Sequence, residues 1–305
     1  MDILGHEKIV NFFDNVLEKG RLGHSYLFVG LESLGKKAVA MQIASKLLNS
    51  SVENLHKEFG FSFVEQEIDQ KTGKTKKGIS IDQIRDLINF LSQKSFVKGY
   101  KIAIINNAHK MNSITSNALL KTLEEPKGET VLFLITENLD ELPSTIISRC
   151  QVVHFEPVEQ DKVFNYLLEL KIDKEKAKEI AELSLGLPGK AIDFVENIEK
   201  FDFYKKEIER FESVFGKPFY EKRVCMEEIF GNKTDHIAQR DEIRHILSVW
   251  QFVLSSFLKN AGSVKSGLTY DSYIKLNDSI SEAKNLISFN IHPRLLIENI
   301  LLLIP

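Results

Sequence analysis

The sequence predicts an α/β domain built on a parallel sheet, followed by all-helical segments. Three observations carry this expectation. Up to about residue 155, short apolar and β-branched runs alternate with apolar positions at helical spacing. Two of the runs, Ile102-Ala103-Ile104-Ile105 and Val131-Leu132-Phe133-Leu134-Ile135, are continuously apolar, as strands covered on both faces must be. After Pro157 such runs stop, and helical spacing continues to Pro305.

Taken in order, Ser25-Tyr26-Leu27-Phe28-Val29 reads as the first central strand. Ala40, Ile43, Ala44, Leu47 and Leu48 recur at helical spacing directly after it. Phe61-Ser62-Phe63-Val64 is a further strand, and Ile81, Ile84, Leu87, Ile88 and Leu91 line one face of a helix. Val152-Val153-His154-Phe155 is the last strand. Residues 49–78 are polar, with Lys71, Lys74, Lys76 and Lys77 around Gly73, and read as a hairpin-like excursion. A solvated loop is the plainer reading of that lysine cluster, and contact with a phosphate backbone the alternative. Residues 159–198 read as small helices broken at Gly186-Leu187-Pro188-Gly189, and a polar 260–267 stretch reads as a flexible break in the helices that follow. Leu295, Leu296, Ile297, Ile300, Leu301, Leu302 and Leu303 make the C-terminal helix apolar around much of its circumference. Such a helix belongs deep in a bundle or against another subunit. Three domains are expected: 1–157, 158–200 and 201–305.

Composition narrows the class. A chain of 305 residues is long for one core, and 43% apolar with 27% charged residues is ordinary for a globular protein. A net charge of −3 gives no overall attraction to nucleic acid. Cys150 and Cys225 are the only cysteines and lack CxxC spacing, which argues against a disulfide framework and a thiolate zinc site. There is no apolar run of membrane-spanning length and no signal-peptide pattern, so a reduced cytoplasmic protein is expected.

Gly30-Leu31-Glu32-Ser33-Leu34-Gly35-Lys36-Lys37 lies between a strand and a helix, the context a phosphate-binding loop requires. Its glycines let backbone N–H groups turn toward phosphate, the helix N-terminus adds partial positive charge, and Lys36 stands where the phosphate lysine belongs. Lys37, however, replaces the Ser or Thr whose hydroxyl binds Mg²⁺, and an ammonium cannot ligate a cation. The acidic residue that should end the strand 102–105 and help hold the metal is missing as well, since Asn106 and Asn107 stand there. No metal site is expected and no cofactor is required. The loop reads as a relic connector between sheet and helix, with weak nucleotide or anion binding through Gly30, Gly35, Lys36 and Lys37 as the alternative.

Asn117-Ala118-Leu119-Leu120-Lys121-Thr122-Leu123-Glu124-Glu125-Pro126, followed downstream by Ser148-Arg149-Cys150, resembles the clamp-loader branch of the AAA+ ATPases, the family of bacterial DNA polymerase III loader subunits. The resemblance implies a RecA-like AAA+ domain, a small helical lid and an all-α collar domain. It implies that Arg149 is an arginine finger reaching the nucleotide site of an adjacent subunit, where a guanidinium stabilises the charge of phosphoryl transfer. An arginine that caps its own helix or pairs with a local carboxylate is the bland reading of the same residue. The glutamate that polarises water in AAA+ proteins falls at Asn107 and is missing too. Thr136 stands at the sensor-1 position, although a strand-end threonine bonded to turn backbone is the simpler reading. Lys190, in Gly186-Leu187-Pro188-Gly189-Lys190, stands where sensor 2 usually has arginine. Gly5-His6-Glu7-Lys8-Ile9 resembles the turn near the adenine pocket. Asn117, Leu120, Lys121 and Glu124 are read as subunit-packing or DNA-facing positions, or equally as a solvated face. Residues 49–78 lack the four cysteines of the zinc module common in the family, and His56 there reads as a surface residue, not a ligand.

The resemblance implies a rigid loader subunit that does not hydrolyse ATP yet keeps the finger for a neighbour. The implied partners are the other loader subunits, gamma/tau and delta, and through the complex the sliding clamp and primer–template DNA. Two alternatives stay open: an ATP-hydrolysing motor subunit of the same loader, and an AAA+-like scaffold outside replication.

Overall fold

The computed structural model describes residues 3–69, 73, 75–93, 99–230, 236–259, 268–287 and 291–305. Lys71 and Lys74 of the lysine cluster, and the 260–267 break, lie outside the described residues. The chain divides into two compact units, Met1–Ile192 and Asp193–Pro305.

In the first unit the elements run α1 (Glu7–Glu18), β1 (Ser25–Val29), α2 (Lys36–Leu48), β2 (Phe61–Val64), α3 (Ile81–Ser92), β3 (Lys101–Ile105), α4 (Ser113–Glu124), β4 (Thr130–Thr136), α5 (Ser144–Ile147), β5 (Gln151–His154), α6 (Gln160–Glu169) and α7 (Lys174–Ser184). Helix α8 (Pro188–Glu196) crosses the boundary. The five strands pair in the order β2-β3-β4-β1-β5, every pairing parallel. All residues of β1, β3 and β4 are buried, whereas the edge strand β5 is not, which is why the central runs are apolar throughout. Aromatic packing of Phe13, Tyr26, Phe28 and Phe133 fills one face; Leu27, Ile84, Ala103, Leu119 and Leu134 belong to the core of the other.

Three strands begin one residue earlier than the apolar runs suggest, at Lys101, Thr130 and Gln151. Polar residues can open a strand where the head group finds a partner. The Lys101 Nζ donates to the Phe90 carbonyl at 2.6 Å while its stem lies buried. The 49–78 excursion does form hairpin arms: Ile68 and Thr75 form an antiparallel bridge, and the Lys76 N–H donates to the Glu67 carbonyl at 2.8 Å.

The second unit holds α9 (Ile198–Glu212), α10 (Phe219–Phe230), α11 (His236–Lys259), α12 (Tyr270–Leu286) and α13 (Pro293–Leu303). Its core gathers Phe211, Trp250, Leu254, Leu276, Ile280, Ile297 and Ile300. Helix α13 buries Leu296, Ile297, Ile300 and Leu301, but Leu295 and Leu302 remain 56% and 64% exposed. One face therefore belongs to the bundle and the opposite one is turned outward.

Candidate nucleotide cleft and arginine site

The turn between β1 and α2 is shaped by residues that tolerate unusual backbone. Gly30 has φ +152, and a Cβ there would meet the Phe155 carbonyl oxygen at 2.5 Å. Gly35 caps α2 at φ +88, and Ser33 lies at φ +62. Neighbouring segments hold the loop by its carbonyls. His6 Nε2 donates to the Leu34 oxygen at 2.7 Å, and the Gly189 N–H at the start of α8 donates to the Ser33 oxygen at 2.8 Å. Burial holds the His6 pKa below its ordinary value, so the neutral ring with the proton on Nε2 suits this bond.

Lys36 bends back over its own loop. Its buried ammonium donates to the Gly30 oxygen at 2.5 Å and the Leu31 oxygen at 2.6 Å. Burial lowers its pKa, while the carboxylates of Glu137 and Glu32 act in the opposite direction. Two of the three ammonium donors thus bind the loop rather than facing out of it.

The next residue reaches elsewhere. The Lys37 ammonium lies 3.5 Å from Glu65 Oε2 and 4.5 Å from the centre of the Phe63 ring. Asn106 Nδ2 donates to the same Glu65 oxygen at 3.3 Å. Glu65 directly follows β2, which pairs with β3, so parallel pairing brings it beside Asn106. A divalent cation does not fit here. Glu65 already faces an ammonium and an amide donor, and a loop hydroxyl at position 37 and a carboxylate at the end of β3, which would complete a Mg²⁺ shell, are missing. Asn107 sits in the left-handed region at φ +54 and opens a short turn that ends at Lys110, a backbone role asparagine tolerates well.

Thr136, buried at the end of β4, donates to the Asn138 carbonyl at 3.0 Å and lies 3.4 Å from His109 Nδ1. Burial is the main cause lowering the His109 pKa, with Lys110 and Lys36 adding to it against Glu137 and Glu141. Lys190 lies half-buried in the first turn of α8, beside the Gly189 that touches the phosphate loop. The structure therefore brings Gly30, Gly35, Lys36, Lys37, Asn106 and Thr136 to the carboxyl ends of the strands, where α/β sheets bind ligands.

Arg149 is not joined to that group. It follows α5, where its Nη1 donates to the Thr145 carbonyl at 2.8 Å and to Ser148 Oγ at 3.3 Å. Its Nε donates to Glu124 Oε1 at 2.8 Å, and Nη2 reaches the same oxygen. Ser25 Oγ donates to the Arg149 carbonyl at 2.6 Å, fixing the backbone against the start of β1. Cys150, half-buried beside it, has its thiol pushed up to about 11 by burial, so it is no thiolate.

Sequence reasoning missed Glu65 and Glu137. Glu65 gave no local signal, because its partners Lys37 and Asn106 are 28 and 41 residues away in the chain. Glu137 follows Thr136 directly and could have been suspected from that position alone. His56 is exposed and meets the Phe61 and Phe63 rings edge-on, at 5.5 and 5.8 Å between centroids. Among the described residues, none of the His, Cys, Asp and Glu side chains form a group of three able to hold a metal. No described helix is long and apolar enough to cross a membrane.

Comparison with known proteins gives the same family from two directions. The family described as DNA polymerase III, delta subunit, matches residues 5–159, just over half of the chain. The delta' subunit of DNA polymerase III from Bacillus subtilis is 28% identical over 213 residues, 67% of this chain and 64% of its own length. The delta' subunit from Pseudomonas aeruginosa is 34% identical over 143 residues, 42% of this chain and 41% of its own. The gamma subunit from Buchnera aphidicola is 28% identical over 212 residues, 64% of this chain and 57% of its own. The chain thus spans less than two thirds of the length of these relatives. Among solved structures, a gamma subunit-related protein from Thermotoga maritima superposes with a TM-score of 0.51 at 19% identity, covering 99% of this chain and 98% of that one. A Thermotoga maritima RuvB variant gives 0.50 at 13% identity, covering 96% and 88%. The structural likenesses establish the AAA+ fold and the sequence match the lineage: the chain belongs to the DNA polymerase III delta subunit family, the clamp-loader branch of the AAA+ proteins.

Proposed function

We propose that this chain is a non-hydrolysing, delta'-type clamp-loader subunit that supplies Arg149 to the ATP site of a neighbouring subunit. In this reading it works with the gamma/tau and delta subunits, and the assembled complex places the sliding clamp on primer–template DNA during replication. The RecA-like core with its lid carries the relic cleft, and the helical segment after residue 200 joins the collar.

The observation that carries the reading is the Lys37–Glu65–Asn106 cluster. An ATPase of this fold needs a hydroxyl and a carboxylate around Mg²⁺ and a base for water. Here an ammonium and an amide surround the Glu65 carboxylate, and no base is supplied by Asn107. Family membership alone does not choose between motor and non-motor types, because the gamma and delta' relatives are equally similar at 28%. The residues at the cleft favour the non-motor type.

ATPase of the purified chain should be far below ordinary enzyme turnover, and a rate of about 1 s⁻¹ would exclude the reading. In a loader reconstituted with gamma/tau and delta, Arg149→Ala should reduce ATPase by on the order of 10³-fold. Unchanged ATPase there would remove the finger.

A further inference from the structure

We infer that Glu124 is a guard for Arg149: it holds the guanidinium on this chain's own surface until a phosphate of a neighbouring subunit takes the place of the carboxylate. The inference rests on the proposed finger role, but its physical basis is the pairing itself.

Three features of the pair point this way. Arg149 makes four hydrogen bonds, two to Glu124 and one each to the Thr145 carbonyl and Ser148 Oγ, out of the five N–H groups a guanidinium has. Its side chain is only 32% exposed, so the head group is folded down and not extended into solvent. Glu124 is the last residue of α4, where the helix dipole disfavours a negative charge, and Glu125 follows it. A carboxylate in that position needs an offsetting cation, and Arg149 is the cation provided. Arg149 itself lies just past the C-terminus of α5, where a positive charge is favoured and the Thr145 carbonyl, which also accepts from Ser148 Oγ, accepts a hydrogen bond from Nη1.

Carboxylate and phosphate oxygens take the same planar fork of a guanidinium. Reaching a neighbour's phosphate is then an exchange of one anion for another. Glu124 is 47% exposed, so the contact is a weak, screened one that a multiply charged phosphate displaces easily. The result is an arginine that is ordered and neutralised in the free subunit and released on assembly.

Site-resolved modification by phenylglyoxal tests the pairing without reference to catalysis. In the full chain alone, Glu124→Gln should raise the rate at Arg149 about threefold to fivefold, roughly what loss of an exposed pair allows, while other arginines stay unchanged. Glu124→Asp, which keeps the charge, should fall between Gln and the parent. Equal Arg149 reactivity in all three chains overturns the guard. The reconstituted loader supplies the second arm. There Glu124→Gln should leave ATPase unchanged or raise it severalfold, whereas a fall as deep as that of Arg149→Ala overturns the guard and makes Glu124 a required partner. If Arg149→Ala leaves ATPase unchanged, the finger reading fails, and the modification rates alone still decide whether Glu124 holds the arginine.

Discussion

His6 shows how one side chain ties acid–base chemistry to the loop geometry. It sits in the left-handed region at φ +60, packs against Phe155 at 4.8 Å and donates to the Leu34 carbonyl. Because burial depresses its folded-state pKa, the unfolded chain binds the proton more tightly than the folded one. Its contribution to stability is therefore complete above about pH 6.5, the ordinary histidine value, and is lost as pH falls through the depressed folded value. His109, also depressed, acts in the same direction. Urea midpoints measured at pH 7.5 and pH 5.5 should differ, and His6→Asn, which accepts the same backbone, should narrow the difference. An undiminished difference in that variant would assign the effect to other groups.

At the level of elements, α3 shows local coding at its clearest. Ser80 accepts from the Gln83 N–H at 3.3 Å, and the Gln83 side chain accepts from the Ser80 N–H at 3.0 Å, closing a capping box. Gln83 Nε2 also donates to the Glu65 carbonyl at 2.8 Å, so the helix start is pinned to the end of β2. Ser80→Ala should lower stability by about 1 kcal/mol, read as a lower urea midpoint with unchanged slope. A loss below a few tenths of a kcal/mol would mean that Gln83 and Glu65 hold this start without the cap. Helices such as α3 and strands such as β1 and β4 were readable from the sequence because neighbours in the chain supply their signals: apolar spacing, cap residues and continuous burial. The Arg149–Glu124 pair was not readable, because it spans 25 residues and joins the end of α4 to the turn after α5. The motif containing each residue could be recognised, but not that the two would meet. Helix α13 was half legible: its apolarity called for a place deep in a bundle or against another subunit, and it buries Leu296, Ile297, Ile300 and Leu301 in the bundle while Leu295 and Leu302 stay exposed.

Across the molecule, the sequence reading placed all five strands but could not order them, since parallel pairing joins residues far apart. That order, β2-β3-β4-β1-β5, is what sets Glu65 beside Asn106 and across from Lys37. The degenerate cleft is thus not an open wound in the fold. Lys36 already donates to the Gly30 and Leu31 carbonyls, and His6 and Gly189 donate to those of Leu34 and Ser33. A loop so furnished holds its shape with no anion inside it. Millimolar ATP with Mg²⁺ should therefore leave the melting temperature of the isolated chain where it was, because only a ligand that binds the folded state raises it. A rise of several degrees would mean that nucleotide can evict the lysine. If none occurs, this chain keeps its form whatever the energy charge of the cell, and in the role proposed for it would stand unmoved while its neighbours consume fuel.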